Sequence, residues 1–441
     1  MSRRATALVL TFAAAALSVC RLHADEPDLA RLVEQLSSPE FAERQEATRS
    51  LREAGAAAIP TLAQAVQSGD AEVRLRAFGI LRDHALTLDP KCCHPARLAL
   101  AELAREKNSR IAASAVASLE AVEQMLISRL TQLSAIANQR QGGLIVAQEA
   151  ASNAKPGPRT GILNLLQANR TYAVQIGQSW RGGDDGLALL CDLGGIGWLS
   201  LESSPITDAG LVHLGRLADL ERLYLGGSQV RGPGLKELAP LANLRYLSLK
   251  QLPIDDDDLA VLPAFPELQD LGLDLTEVGD AGLVHLARYP RVNRLWLDGT
   301  RVTDAGLTHL KELPELKTLF LAGTKITGPG LAELRDHTGL TYLSLKQTAF
   351  AADGLAHVGQ LKQVERLGLD NTNVTDEMLV HLTGMTRLRE LWLNSSLVTD
   401  AGLVHLRGLK DLQVIHLDST AVTSEGVLEL QRAIPPLHVT R

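Results

Sequence analysis

At 441 residues the chain has room for two to three domains, and 45% hydrophobic content is enough for extensive cores. A formal net charge of −7 and a pI near 6.0 argue against a nucleic-acid backbone as partner. Aromatic residues make up only 3% of the chain, so their positions carry information, and beyond the N-terminus no apolar run reaches membrane-spanning length.

Residues 1–24 read as a secretory leader. Arg3 and Arg4 supply the positive start, residues 5–19 the apolar stretch, and Leu22-His23-Ala24 a cleavage site. Leu17-Ser18-Val19-Cys20 comes close to a bacterial lipoprotein signal, with Val19 departing from the small residue such signals carry. Export to the periplasm or the cell exterior is expected, as a soluble or lipid-anchored protein, with no membrane span in the mature chain.

Residues 25–125 are rich in Ala, Leu, Glu and Arg, and they repeat. Arg44, Ala47 and Leu51 recur thirty residues later as Arg74, Ala77 and Leu81, with a fainter third copy at Arg110, Ala113 and Ala117. Pro60 suits the first turn of a helix, and Asp70 is placed to cap the next one. With Ser38-Pro39-Glu40 and Asp70-Ala71-Glu72-Val73-Arg74, the stretch resembles HEAT-type helical repeats. That resemblance implies an all-α protein-binding scaffold; a plain helical bundle is the alternative. In 126–170, Leu126, Leu130, Leu133 and Ile136 keep helical spacing. Gln141-Gly142-Gly143 and Lys155-Pro156-Gly157-Pro158 break it, which places a linker at about 151–160. Residues 162–166 read as a short helix.

The third region, 171–441, is a ladder of paired apolar residues. Leu199/Leu201, Leu223/Leu225, Leu247/Leu249 and their successors run to Ile415/Leu417, ten pairs at a constant step of 24 residues. A fixed period of this size marks a solenoid, whose units bury their apolar faces on one another. In one unit, Leu295-Trp296-Leu297 alternates like a strand and Asp298-Gly299-Thr300 turns. Thr303-Asp304-Ala305-Gly306 then opens a helical segment, with Asp304 as its N-cap, followed by Leu307, Leu310, Leu313 and Leu316. Tyr172 to Ile176 and Pro435 to Val439 read as capping strands at the two ends.

This pattern, L-x-L-x-x-T-x-[VI]-T-D-x-G-L-x-x-L-x-x-L-x-x-L, resembles the leucine-rich repeat family in its ribonuclease-inhibitor-like form. The resemblance covers more than half of the chain. It implies an α/β solenoid, a horseshoe with a parallel sheet on the concave face and helices outside. The family's ladder asparagine is here Ser or Thr (Ser204, Ser228, Thr276, Thr300, Thr324, Thr348, Thr372, Ser396, Thr420), with Leu252 as the exception. A hydroxyl can still bond the backbone of the turn.

Chemistry-bearing motifs are missing: no G-x-S-x-G, H-E-x-x-H, phosphate loop or dinucleotide fingerprint is present. Cys92-Cys93-His94 lacks metal-ligand spacing and reads as a loop with idle thiols. Three cysteines in a mature chain cannot form a paired framework. His213, His285, His309, His357, His381 and His405 hold one place in successive helical segments. Such segments lie about 8–10 Å apart, too far for a shared metal with bonds of about 2 Å, so structural hydrogen bonding is expected. Asp255 to Asp258 read as helix capping and solvated charge rather than as a calcium loop. No cofactor, metal or catalytic residue is implied.

Function is expected instead on the strand residues that face away from the core. The central column is Ser200, Tyr224, Ser248, Gly272, Trp296, Phe320, Ser344, Gly368, Trp392 and His416. The columns beside it carry Trp198, Tyr246 and Tyr342 on one side, and Lys250, Asp274, Asp298, Lys346 and Asp370 on the other. Tyr224, Tyr246, Lys250, Trp296, Asp298, Phe320, Tyr342, Lys346 and Trp392 form the candidate protein-binding set. The alternative is that tall side chains merely fill a tightly curved face. A longer echo runs through this face. Tyr246-Leu247-Ser248-Leu249-Lys250-Gln251 returns as Tyr342-Leu343-Ser344-Leu345-Lys346-Gln347, and Leu295-Trp296-Leu297 as Leu391-Trp392-Leu393, each 96 residues on. Two similar sub-sites about 19 Å apart are expected from strands about 4.8 Å apart. The whole reads as a non-enzymatic scaffold for a protein partner. The alternatives are the recognition or regulatory subunit of an enzyme, or an inhibitor or adhesin for one protein.

Overall fold

The computed structural model describes residues 28–87, 90–105, 109–135, 145–149, 171–193, 195–351 and 354–441. The leader (1–24), the linker (151–160) and the short helix (162–166) lie outside these residues. The chain divides into two compact units, Met1–Leu126 and Ile127–Arg441.

The first unit is helical: α1 (Leu29–Gln35), α2 (Phe41–Glu53), α3 (Ile59–Ser68), α4 (Ala71–Leu86), α5 (Pro90–Leu103) and α6 (Ser109–Ala135), which runs past the division between the units. The thirty-residue echo has a physical meaning. Ala47, Leu51, Ala77 and Leu81 are fully buried. Arg44 donates to the carbonyls of Ser38 (2.6 Å) and Pro39 (2.9 Å), and Arg74 to that of Gly69 (3.0 Å). Each arginine thus ties its helix to the turn that precedes it. Asp70 caps α4 by accepting from the Val73 N–H at 2.8 Å. The third copy does not hold: Ala113 and Ala117 are exposed, and α6 buries Ile111, Ala115, Leu119 and Val122 instead. Helical spacing through Ile111, Ala115, Leu119 and Val122 sets the core side of α6, and Ala113 and Ala117 fall off it. Cys92 and Cys93 lie within α5, not in a loop, and none of Cys92, Cys93 and Cys191 is in a disulfide.

The second unit is a 13-stranded sheet in strict chain order. β1 (Ile145–Glu149) pairs antiparallel with β2 (Thr171–Gln175), which pairs parallel with β3 (Ile196–Ser200). β4 to β13 are three-residue parallel strands from Arg222–Tyr224 to His438–Thr440, starting every 24 residues. β1 was not legible in the sequence, where a Gly-Gly pair precedes it; it covers the edge that β2 would otherwise leave open. The paired leucines are fully buried, from Leu199/Leu201 to Ile415/Leu417.

The outer layer mixes short α-helical segments, such as Asp208–Leu214 and Ser424–Ala433, with tighter ones. Gly306–Glu312, Pro329–Asp336 and Met378–Gly384 are 3-10 segments. Leucines at every third residue suit this form, although the same spacing at Leu211 and Leu214 lies on an α-helical segment. A 3-10 helix has three residues per turn, so Leu307, Leu310 and Leu313 stack in one line, while at 3.6 residues per turn they would drift. In the turn after each strand, Thr276, Thr300, Thr324, Thr348 and Thr372 donate their hydroxyls to the carbonyl three residues back at 2.6–2.7 Å. Ser396 leaves its Oγ buried without a partner.

The motif T-D-x-G acts between repeats. Asp304 does not cap its own helical segment. It accepts from the Thr327 N–H (2.9 Å), the Thr327 hydroxyl (2.6 Å), and the N–H groups of Gly328 (3.1 Å) and Gly330 (2.9 Å), all in the next repeat. In the turn before that segment, Thr303 accepts from the Ala305 N–H at 3.2 Å. Thr303 itself donates to Asp280 through its N–H (2.8 Å) and its hydroxyl (2.6 Å). Asp184/Thr207, Asp376/Thr399 and Asp400/Thr423 repeat this clamp. The glycine makes room for it, since a Cβ on Gly306 would lie 2.3 Å from Asp280 Oδ1. Where Asp becomes glycine, at Gly232 and Gly328, φ is 118° and 130°. There the next repeat closes directly on the backbone, and a Cβ on Gly328 would lie 2.2 Å from Gly354 Cα.

Candidate protein-binding face

Short parallel strands in perfect register bring residues 24 apart side by side. Trp296 of β7 (Arg294–Trp296) stands opposite Phe320 of β8 (Thr318–Phe320), and Trp392 of β11 (Glu390–Trp392) opposite His416 of β12 (Val414–His416). A strand spacing of about 4.8 Å lies within the reach of offset ring stacking. The result is one unbroken chain of rings across the sheet. Its centroid separations are Trp198–Tyr224 5.3 Å, Tyr224–Tyr246 4.5 Å, Tyr246–Trp296 6.1 Å and Trp296–Phe320 5.5 Å. It continues through Phe320–Tyr342 4.9 Å, Tyr342–Trp392 6.0 Å and Trp392–His416 5.4 Å.

All six aromatic members of the sequence-derived set, Tyr224, Tyr246, Trp296, Phe320, Tyr342 and Trp392, join this chain, and each is half-buried. Trp198 and His416 extend it at the two ends. Both stood in the outward columns but were not chosen, because one residue gives no sign of its neighbour's ring. Gly272 and Gly368 let a tyrosine reach the tryptophan two strands away, Tyr246 to Trp296 and Tyr342 to Trp392. The ring faces are used on one another. The Trp296 and Phe320 planes lie 7° apart, and those of Trp392 and His416 3° apart. The hydroxyls of Tyr224, Tyr246 and Tyr342 and the indole N–H groups of Trp198, Trp296 and Trp392 have no hydrogen-bond partner among the described residues. Burial pushes the Tyr246 hydroxyl up to about 12, helped by Tyr224 and Asp270.

Charged groups flank the rings. Asp270 is buried and holds the guanidinium of Arg294, which lies 5.9 Å from the Trp296 ring centroid. Arg366 lies 5.3 Å from the Tyr342 centroid. Lys346 pairs with Asp370 at 2.9 Å and lies 5.4 Å from the Trp392 centroid. Lys250 is exposed. Asp274 and Asp298 stand on adjacent strand ends as neighbouring half-buried carboxylates. Burial, then the charge of Asp298, pushes Asp274 up to about 6, and burial also raises Asp298. Asp298 accepts from the Ala322 N–H at 2.6 Å.

The other sequence candidates resolve differently. Asp255 caps its helix, accepting from the N–H groups of Asp257 (3.0 Å) and Asp258 (3.2 Å), and Asp258 closes a capping box. No histidine ring of the repeated column makes the expected hydrogen bond among the described residues, and His357 leaves Nδ1 buried without a partner. Among the described residues no group of three or more His, Cys, Asp or Glu side chains could hold a metal ion, and no helix is long and apolar enough to cross a membrane. A pocket of about 340 Å³ is lined by Thr207, Asp208, Ser228, Gln229, Val230, Arg231 and Pro253. Its carboxylate already accepts from the N–H groups of Arg231 and Gly234, both at 3.2 Å, as the clamp of its repeat.

No protein-family model matches the chain, and no curated protein matches it. Among solved structures, an internalin from Listeria monocytogenes is similar at 20% identity over 57% of this chain and 69% of that chain, with a TM-score of 0.46. A leucine-rich repeat protein from Leptospira interrogans is similar at 18% identity over 58% and 80% of the two chains, with a TM-score of 0.36. A TDR receptor is similar at 16% identity over 60% of this chain and 46% of that chain, with a TM-score of 0.42, so the chain spans under half of that receptor. Register, core and hydroxyl ladder define the class by themselves: a leucine-rich repeat solenoid, in a chain that also carries a helical unit.

Proposed function

We propose that the chain is an exported, non-enzymatic scaffold whose concave sheet face holds a protein partner, with the helical unit acting as a HEAT-like array. The observation that carries this reading is the continuous chain of eight rings from Trp198 to His416. Aromatic side chains with polar tips lacking partners, set among arginines and lysines, have the composition of protein-binding hot spots. A face built only to fill its own curvature has no need of indole and phenol donors.

The test compares the full chain with the variant Trp296→Ala/Phe320→Ala/Trp392→Ala as baits in extracts of the cell envelope and medium of the source organism. Circular dichroism checks that the variant is folded. A partner retained by the full chain and lost from the folded variant supports the reading. Equal capture by both baits removes the face from consideration.

A further inference from the structure

We infer that the sheet face takes an extended polypeptide segment bearing two large apolar side chains six residues apart, with a lysine or arginine beside one of them. This rests on the face being the binding surface and specifies what it binds.

The first observation is the geometric echo. Tyr246 contacts Trp296 across Gly272 with centroids 6.1 Å apart and planes at 57°; Tyr342 contacts Trp392 across Gly368 at 6.0 Å and 60°. The tyrosine–tryptophan pair therefore recurs four strands on, about 19 Å away at a strand spacing of about 4.8 Å. A partner that uses both must repeat its own anchor at that distance. A β-like chain advances about 3.3 Å per residue and returns to the same side every second residue, so its sixth residue is on the same side after about 20 Å. A polyproline II chain advances about 3.1 Å per residue with three residues per turn and again returns at the sixth, after about 19 Å. An α-helix returns to the same face after about 16 Å at the eleventh residue, or about 21 Å at the fourteenth and then turned by about 40°, so it meets this distance less well.

The second observation is charge. The copies match at Lys250/Lys346 and Asp274/Asp370 but differ where Asp298 corresponds to Asn394, and on the opposite flank where Asp270 and Arg294, paired with each other, correspond to Arg366 and to Glu390, which faces His416 Nε2 at 3.3 Å. In the second copy Lys346 neutralises Asp370 at 2.9 Å. In the first, Asp274 and Asp298 form no ion pair among the described residues. Lys250 acts on both and Lys346 on Asp298, and the two carboxylates act in turn on the hydroxyls of Tyr246 and Tyr342. Complementarity thus places one cationic side chain of the partner over the first copy and none over the second. That difference also sets the direction in which the segment lies.

The test begins by panning a displayed library of random dodecapeptides on the full chain. Enriched clones are then made as labelled peptides and measured by fluorescence polarisation. The expected clones carry apolar or aromatic residues six apart, with Lys or Arg within two positions of one of them. Moving one anchor to a five-residue spacing should weaken binding about thirtyfold, the loss of one hot-spot contact. The isosteric variant Asp274→Asn/Asp298→Asn should weaken the basic peptide about tenfold or more while leaving the same peptide with its Lys or Arg replaced by Gln unchanged. Clones with helical spacing, clones indifferent to spacing, insensitivity to the Asp variant, or no enrichment would each overturn the inference. Should the clones also bind Trp296→Ala/Phe320→Ala/Trp392→Ala equally well, the face reading fails with it. Loss of binding to that variant with no dependence on spacing or charge leaves the face reading standing alone.

Discussion

Asp304 and Asp274 belong to the same solenoid, and the fold treats their carboxyls in opposite ways. Asp304 lies in the clamp row. Burial pushes its pKa up, but the Thr327 hydroxyl and the N–H groups of Thr327, Gly330 and Gly328 together outweigh that and hold it below the ordinary value. Asp274 lies on the open face, where burial and then the charge of Asp298 push it up to about 6. In the clamp row each carboxylate faces donors from the next repeat, so the ionised form fastens the array. On the face it meets another carboxylate and half-buried rings, so the ionised form works against folding at neutral pH. The helical unit offers a further contrast: Arg44 and Arg74 tie a helix to its own preceding turn, whereas the solenoid's clamps always join one repeat to the next.

The largest expected effect lies where the clamp row is interrupted. Gly328→Ala places a Cβ against the Gly354 backbone at a φ of 130°. It should lower stability by about 3 kcal/mol, read as a lower urea midpoint. An unchanged midpoint would mean that close backbone approach does not replace the missing aspartate.

Next in size, Asp304→Ala leaves four donors of the following repeat without their acceptor, for a loss of about 2 kcal/mol at pH 7. Because the folded pKa lies below the unfolded one, the carboxylate's contribution is complete above the ordinary carboxylate range and disappears as pH falls through the depressed value. The gap between wild type and variant should therefore close in acid. A variant as stable as wild type at pH 7 would show that the clamp contributes nothing.

The smallest effect has the opposite sign. The folded pKa of Asp274 is raised to about 6, against about 3.9 in an unfolded chain. The unfolded state loses its proton first, so the cost is absent in acid and grows as pH rises from about 4 to about 6. Asp274→Asn should raise stability at pH 7 by a few tenths of a kcal/mol after solvent screening, with the gain gone by about pH 4. Thermal midpoints measured across that range check it, and a variant less stable than wild type at pH 7 would erase the contrast between clamp and face.

Much of the solenoid was legible because its signals are local and periodic. Leucine pairs at a constant step have one way to be buried; Tyr172 to Ile176 overlaps β2, whereas Pro435 to Val439 shares only His438 and Val439 with the last strand and β1 lies beyond the expected end. The misreadings came from contacts that cross repeats. Asp304 looked like a cap because caps are the usual local use of that residue before a helix, and nothing in one repeat shows Thr327. The histidine column reads as a hydrogen-bonded row because a shared position does not disclose whether a donor or acceptor stands beside each ring. Ala113 and Ala117 followed the arginine echo, yet they fall off the core side of α6 that holds Ile111 and Leu119.

The sequence alone determined the period, the inward leucines, the outward columns and the doubling of the face, because each depends on residue type and spacing along a strand. Only the tertiary structure decided which outward residues act together. Strand spacing turned separate aromatics into one stacked chain, and glycines at 272 and 368 let rings two strands apart touch. The same lateral spacing made clamps of one row of aspartates and left Asp274 and Asp298 facing each other, since charge and donor supply are properties of neighbouring repeats and not of the residue itself.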